Sequence, residues 1–254
     1  MLFRSRFPLA LPVAAGDAAA DPVRRVAGRA EAVLRQRWPG ARVVVVDRAP
    51  VDAILGEARR RGARVIVMGS RGHGLWSRLV LGSVSHGVVR RATGAALVVK
   101  ARLGQPRRFL VGLDASPRWR RIVQFLAALA PSPGTRLRLL TVVEAIRPAS
   151  LALLPAATRA LVAGRAAAAE AAATRAARRR LDAARGPLAR AGFAVEAEVR
   201  PGVPLDELID EVGTSRPDVL VVGARGVGGI ERLFLGSVAE GALARSPVSV
   251  LVVR

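Results

Sequence analysis

The chain has no cysteine, no tyrosine, one lysine and two histidines among its 254 residues. The absence of cysteine excludes disulfides, thiolate chemistry and any zinc site built on sulfur, and it fits a reducing, cytoplasmic setting. No apolar run reaches the roughly 18 residues of a membrane-spanning helix, so no membrane partner is expected. Also missing are a Gly-Lys-Ser/Thr phosphate loop, an acidic metal dyad, and a nucleophile, base and orienting residue that could work together. A binding or regulatory protein is therefore favoured over an enzyme, with no catalytic residue to name. His73 and His86 stand thirteen apart with no Asp or Cys at ligand spacing, and read as loop or surface residues rather than metal ligands.

The shortage of aromatics also bears on the formal charge of +22. All but one of the 41 basic residues are arginine, Lys100 being the exception, and Ala, Gly, Val and Pro are all abundant. That bias is expected of a GC-rich coding sequence. Without tyrosines to stack bases, the scattered arginines predict weak, salt-sensitive polyanion binding and no specific nucleic-acid recognition. Arg159, Arg165, Arg175, Arg178 and Arg179 fall on one long Ala/Arg helix and read as its solvated face.

What is present is a duplication. Adding 154 to each position from Pro50 to Lys100 gives Pro204 to Arg254 without a gap, with identities that include Asp52, Glu57, Val65, Val67, Gly69, Arg71, Gly72, Gly82, Ser83, Val84 and Val98. A domain-sized unit therefore occurs twice. Within it an apolar strand runs into Gly223-Ala-Arg225-Gly226, nine residues follow, and Gly236-Ser237-Val238 opens an Ala/Leu-rich helix. The first copy has Gly69-Ser-Arg71-Gly72, nine residues, and Gly82-Ser83-Val84. Glycines let the backbone approach a ligand closely, and a helix start offers unpaired N–H groups to an anion, so the pattern reads as a phosphate cradle. Ser237 is also expected to cap its helix. The acids Asp206, Glu207, Asp210 and Glu211 read as first-turn residues favoured by the helix dipole.

Along the chain, Arg4 and Arg6 precede a short apolar run broken by Pro8 and Pro12, which reads as an irregular leader rather than a secretory signal. Alternating strand and helix patterns follow, which means parallel sheets with helices packed on them. Strands are expected at 42–46, 65–68 and 95–99 in the first copy, and at 109–113, 137–143, 194–199, 219–222 and 248–253 in the second. The domains are 1–100 and 107–254, joined by a linker at 101–107.

The doubled Gly-x2-Gly-x9-Gly-Ser pattern, the strand exit Val-Gly-Leu-Asp114, the strand Leu-Thr-Val142-Val-Glu144 and the terminal Val-Leu-Val-Val together resemble the universal stress protein family in its tandem two-domain form. The resemblance covers 107–254 completely and about 20–100 in part. It implies two α/β domains with doubly wound parallel sheets, flavodoxin/Rossmann-like and adenine nucleotide alpha hydrolase-like, of strand order 3-2-1-4-5, with nucleotide outside the carboxyl ends of the strands. It further implies an ATP-binding regulatory protein of the stress response with at most slow hydrolysis, the ligand being ATP with or without Mg2+. Carried over by position, Asp114 matches the acidic contact to adenosine and Val142 the strand residue whose backbone meets adenine. Gly223 and Gly226 match the phosphate-loop glycines, with Arg225 between them, and Gly236, Ser237 and Val238 match the second half of the signature. Gly69, Arg71, Gly72, Gly82, Ser83 and Val84 correspond in the first copy.

The first copy departs from the pattern. The counterpart of Asp114 would fall about forty residues before Met1, so the first strand and the acidic contact are absent from it, and the second strand is expected to be missing as well. Either the remaining strands close up, or residues 7–15 fill part of the gap, or a longer chain supplies the rest. The apolar last strands, 95–99 and 248–253, are expected at sheet edges and to pair as an intramolecular pseudo-dimer, with a homodimer as the other outlet for such edges.

Overall fold

The computed structural model describes residues 10–13, 20–70, 81–100, 103–144, 155–225 and 235–254. The chain divides into two compact units, one taking in Val98–Arg254 and the other Phe3–Leu97.

In the Val98–Arg254 unit, β5 (Arg108–Gly112), β6 (Arg136–Val143), β7 (Ala194–Pro201), β8 (Val219–Gly223) and β9 (Ser249–Val253) form a parallel sheet of order β7-β6-β5-β8-β9. This is the expected 3-2-1-4-5 order. The sequence explains which strands are central. In β8 the residues Val219 to Val222 are apolar without alternation and all at most 2% exposed, as a strand covered on both faces must be. Its register sets Val221 beside Val111 of β5 and Leu251 of β9. At the edge, β7 places Glu196, Glu198 and Arg200 among its residues, and such charges discourage further strand addition.

Helices α4 (Trp119–Ala127) and α5 (Ala156–Arg190) pack together, as do α6 (Pro204–Ser215) and α7 (Ser237–Arg245). The inward face of α4 is Ile122, Val123 and Leu126; that of α5 is Ala177, Leu181, Ala184 and Leu188, at helical spacing. Arg165, Arg175, Arg178 and Arg179 are exposed as expected. Pro204 opens α6 at its first position, Asp206 and Glu207 lie in its first turn, and Arg216 ends it with φ 45°.

Glu211 is not a solvated helix acid. It is 1% exposed, its Oε1 lies 2.6 Å from Arg138 Nε, and its other oxygen accepts a hydrogen bond from Arg200. Two arginines from neighbouring strands thereby clamp α6 onto the sheet, and each also meets Glu198. The equivalent Glu57 in the first copy is buried too, but its partners Arg60 and Arg61 come from just beyond it in sequence.

In the Phe3–Leu97 unit the expectation of three strands is corrected. Besides β2 (Arg42–Val45), β3 (Val65–Gly69) and β4 (Ala95–Val99), residues Ala10–Val13 form a strand, β1, in place of the irregular leader. It pairs in parallel with β2 from Ala10↔Arg42 to Val13↔Val45. Pro12 is tolerated because β1 has a single strand neighbour among the described residues, leaving one side that needs no N–H donor. Helix α1 (Ala20–Arg37) links β1 to β2 as α5 links β6 to β7, so β1 stands where a second strand belongs. Residues 10–13 thus fill part of the gap. Helices α2 (Pro50–Arg60) and α3 (Ser83–Arg91) pack against each other.

Among the described residues nothing stands in for β5, so β1 and β2 form a sheet separate from β3. The cost is visible at Val67, 48% exposed, whose counterpart Val221 is 0% exposed.

Candidate site at the carboxyl ends of the strands

The chain leaves β5 toward β6 and β7 on one side and later returns to place β8 on the other. The β5/β8 boundary is therefore the point where connections diverge and a crevice opens outside the strand ends. Asp114 follows β5 at this point. Leu113, just before it, is fixed on both sides: its N–H donates to the Leu140 carbonyl at 2.9 Å, and its own carbonyl accepts from Thr141 Oγ1 at 2.9 Å. The β5–β6 register ends at Gly112↔Leu140, so Thr141, Val142 and Val143 extend past β5 beside Asp114.

The Asp114 side chain is half-buried. Its Oδ1 accepts a hydrogen bond from Ser116 Oγ at 2.9 Å, whereas its Oδ2 is buried with no partner among the described residues. Arg180, from α5, is near enough for its charge to interact with that of Asp114. Burial lowers the pKa of its guanidinium, and the carboxylate acts in the opposite direction.

On the β8 side Ala224 joins three elements. Its N–H donates to the Val253 carbonyl at 2.8 Å and its carbonyl accepts from the Gly236 N–H at 2.8 Å. The exit of β8, the end of β9 and the start of α7 are thus held together, with Gly223, Arg225, Gly236, Ser237 and Val238 around the junction. The first copy repeats the contact, Gly82 N–H donating to the Ser70 carbonyl at 2.9 Å. Gly236 is the N-cap of α7, with no side-chain cap, and Ser237 is the first helical residue and exposed. The expected Ser237 cap is therefore corrected: the extended backbone of Gly236, φ −71° and ψ 155°, begins the helix without help from a hydroxyl. Ser83 likewise follows an N-cap glycine, Gly82.

A side chain at Gly223 would meet Ile122 Cδ1 and the Arg225 carbonyl at 3.4 Å, ordinary contact distances. Among the described residues, packing does not demand glycine there. Burial lowers the Arg254 pKa, and the charge of nearby Arg225 acts in the same direction. Two guanidiniums near the junction make it electropositive.

Asp114, Val142, Gly223 and Arg225 belong to strand ends of one sheet or to the residues just beyond them, and Gly236, Ser237 and Val238 to the start of α7, joined to the β8 exit through Ala224. Gly69, Gly82, Ser83 and Val84 lie at the matching exit of β3 and start of α3. Gly226, Arg71, Gly72 and His73 fall outside the described residues. Among the described residues no three His, Cys, Asp or Glu side chains are grouped as metal ligands, and no helix is long and apolar enough to cross a membrane. Arg180 was missed by the sequence reading. The available signal was its spacing, three after Ala177 and four before Ala184, which puts it at the margin of the buried face.

The universal stress protein family model matches residues 5–100 and again 106–254. A universal stress protein of Methanocaldococcus jannaschii is 36% identical over 63 residues, which are 25% of this chain and 37% of that one. A universal stress protein A-like protein of Arabidopsis thaliana is 35% identical over 63 residues, 25% and 36% of the two chains. The chain thus spans little more than a third of the length of these curated relatives. Among solved structures, a universal stress protein from Archaeoglobus fulgidus superposes with a TM-score of 0.58 at 20% identity, covering 97% of this chain and 86% of its own. A Pseudomonas aeruginosa protein of unknown function gives a TM-score of 0.64 at 15% identity over 97% and 82%. At those identities the structural likeness speaks for the fold alone. The family match accounts for nearly the whole sequence in two successive copies, and the chain belongs to the universal stress protein family.

Proposed function

We propose that the chain binds one adenine nucleotide, ATP, in the domain 107–254, and acts as a nucleotide-dependent regulatory protein of the stress response rather than as a dedicated enzyme. The observation behind this reading is Asp114 Oδ2, a buried carboxylate oxygen that has no partner among the described residues at the mouth of the crevice. A buried acceptor left open costs stability unless something else fills it, and a ribose hydroxyl is a suitable donor. Val142, past the end of β5, offers its backbone to the base. Gly223, whose hydrogen side chain the packing does not require, keeps space before the junction. Gly236, Ser237 and Arg225 would receive the phosphates from an uncapped helix start and an electropositive surface. Mg2+ would arrive with the polyphosphate, in keeping with its habit of retaining waters and phosphate ligands.

Hydrolysis would be slow, because no side chain described here is placed as a general base beside the junction. The domain 1–100 keeps the phosphate half, Gly69, Gly82, Ser83 and Val84, without an Asp114 equivalent, and is read as empty or occupied by an anion only. The terminal strands β4 and β9 are taken to pair as a pseudo-dimer. Contacts inside the Val98–Arg254 unit support this: the Lys100 N–H donates to Ser249 Oγ at 3.3 Å and its ammonium to the Ser246 carbonyl at 2.7 Å. The test is whether ATP co-purifies with the chain and is lost on substituting Asp114 by Ala. A protein free of nucleotide that also ignores added ATP would instead be a scaffold working through its surfaces.

A further inference from the structure

In β8 every residue from Val219 to Val222 is buried, but in β3, its counterpart in the first copy, Val65, Ile66 and Met68 are half-buried and Val67 is 48% exposed. The second copy shows what the missing cover looks like. Strand β5 runs parallel to β8 with Phe109 beside Val219, Leu110 beside Leu220 and Val111 beside Val221. Helix α4 follows it and packs on β8 and β9 through a face that includes Ile122, Val123 and Leu126. Among the described residues β3 pairs only with β4, and β1 only with β2. In strand order 3-2-1-4-5 the place of β5 falls between the counterparts of β6 and β8, which here are β1 and β3. An open edge without charge invites another strand: β3 reads Val-Ile-Val-Met-Gly, whereas the edge strand β7 carries Glu196, Glu198 and Arg200. Pro12 removes one donor from β1, so an added strand would draw its backbone hydrogen bonds chiefly from β3.

We propose that the first copy is an acceptor for a strand–helix segment of the β5–α4 kind, donated by a partner protein. The segment is an extended Phe-Leu-Val-like stretch laid parallel on β3, followed by a helix whose apolar face covers β3 as α4 covers β8. A second copy of this chain is not the donor. Its β5 and α4 are already buried, and giving them to a neighbour would open one gap for each it closed. Main-chain hydrogen bonds to β3 supply affinity, and the side chains set against Val65 and Val67 supply selectivity. The inference stands apart from the nucleotide reading, since it concerns the edge of β3 whether or not a ligand occupies the strand ends.

The experiment titrates the full chain by calorimetry with a synthetic peptide of residues 107–129, which spans β5 and α4. It is repeated with a peptide of scrambled order, with the peptide carrying Val111→Lys, and with the chain carrying Val67→Glu. The peptide has five arginines and one aspartate and the chain a net charge of +22, so electrostatics oppose the encounter and cannot produce the binding. The peptide of native order should bind saturably, and hydrogen exchange at Val65–Gly69 should slow in the complex. Either substitution should weaken binding about tenfold or more, because each sets an unpaired charge against an apolar strand. If Val67→Glu does not fold, Val67→Thr, which keeps the branched shape, takes its place with a loss of about threefold. No binding of the native-order peptide, or equal binding of the scrambled one, overturns the proposal. So does binding unchanged by substitution at Val67, which would mean that the peptide enters the second copy by displacing β5.

Discussion

Val67 and Val221 hold the same place in the two copies of the repeat, yet Val67 is 48% exposed and Val221 is 0% exposed. The difference follows from β5 and α4, which flank and cover β8 and have no described counterpart beside β3. Replacing Val221 by Ala should therefore cost about 2 kcal/mol or more, a cavity in a closed core, whereas Val67→Ala should cost less than about 1 kcal/mol. Chemical denaturation of the two variants checks this. Equal losses would mean that β3 is covered as fully as β8.

The site separates packing from binding at two residues. Asp114→Ala should weaken ATP by about 1 to 3 kcal/mol, the usual loss for a hydrogen bond involving a charged group. Gly223→Ala should leave the melting temperature nearly unchanged, since the added methyl meets its neighbours at 3.4 Å, but should weaken ATP by crowding the junction. Melting curves and binding isotherms on both variants test this. A Gly223→Ala chain that binds ATP as well as wild type would remove Gly223 from the site.

Much of this was legible because it rests on local rules. The uninterrupted apolar run in β8 marks a strand covered on both faces and the 154-residue offset exposes the doubled glycine pattern, while the strand order follows from the family resemblance. What escaped depends on contacts distant in sequence. In sequence Glu211 reads as a helix-dipole acid, and only the fold brings Arg138 and Arg200 beside it. The strand β1 was hidden by Pro12, a residue that only an edge position tolerates. Nothing in the sequence separates Arg180 from the neighbouring arginines, and Ser237 reads as a cap because the preceding glycine gives no sign that its backbone starts the helix unaided.

Glu211 also yields a stability prediction. Glu211→Ala leaves Arg138 and Arg200 facing each other without their shared carboxylate. The cost should be about 2 to 3 kcal/mol, below the value for a fully buried pair because both arginines reach solvent. The same region should respond to acid. Hydrogen bonding from Arg200 holds the Glu198 pKa below the usual carboxylate range against the opposing effect of burial, and Arg61 does the same for Glu57. A depressed folded-state pKa contributes stability that is present above about 4.3, the unfolded glutamate value, and is lost as the pH falls through the folded value. The melting temperature should thus hold steady from pH 7 to about 5 and drop below about 4.3, with a shallower drop in Arg200→Gln. An unchanged acid limb in that variant would dissociate Arg200 from the effect.

Lys100 has the same slope in a more alkaline window, where a cost of burial is relieved rather than a stabilising charge lost. Burial lowers its pKa to about 8. Between that value and its unfolded value of about 10.4 the unfolded chain binds more protons, so stability should rise with pH across this window, the cost of burying the charge being felt in full below it. As Lys100 is the only lysine, NMR of lysine-labelled protein reports its titration as one resonance. A midpoint at 10 or above would contradict the burial.

The most direct test of the nucleotide reading is the stoichiometry of ATP binding. The exits of β3 and β8 and the starts of α3 and α7 are alike in the two copies, Gly82 N–H meeting Ser70 as Gly236 N–H meets Ala224. Among the described residues, only the second copy has a strand such as β5 to bring in an acid such as Asp114. Isothermal titration calorimetry of the full chain with ATP should therefore give one site per chain, weakened by Asp114→Ala. Two equivalent sites per chain, or a single site indifferent to that substitution, would contradict the account.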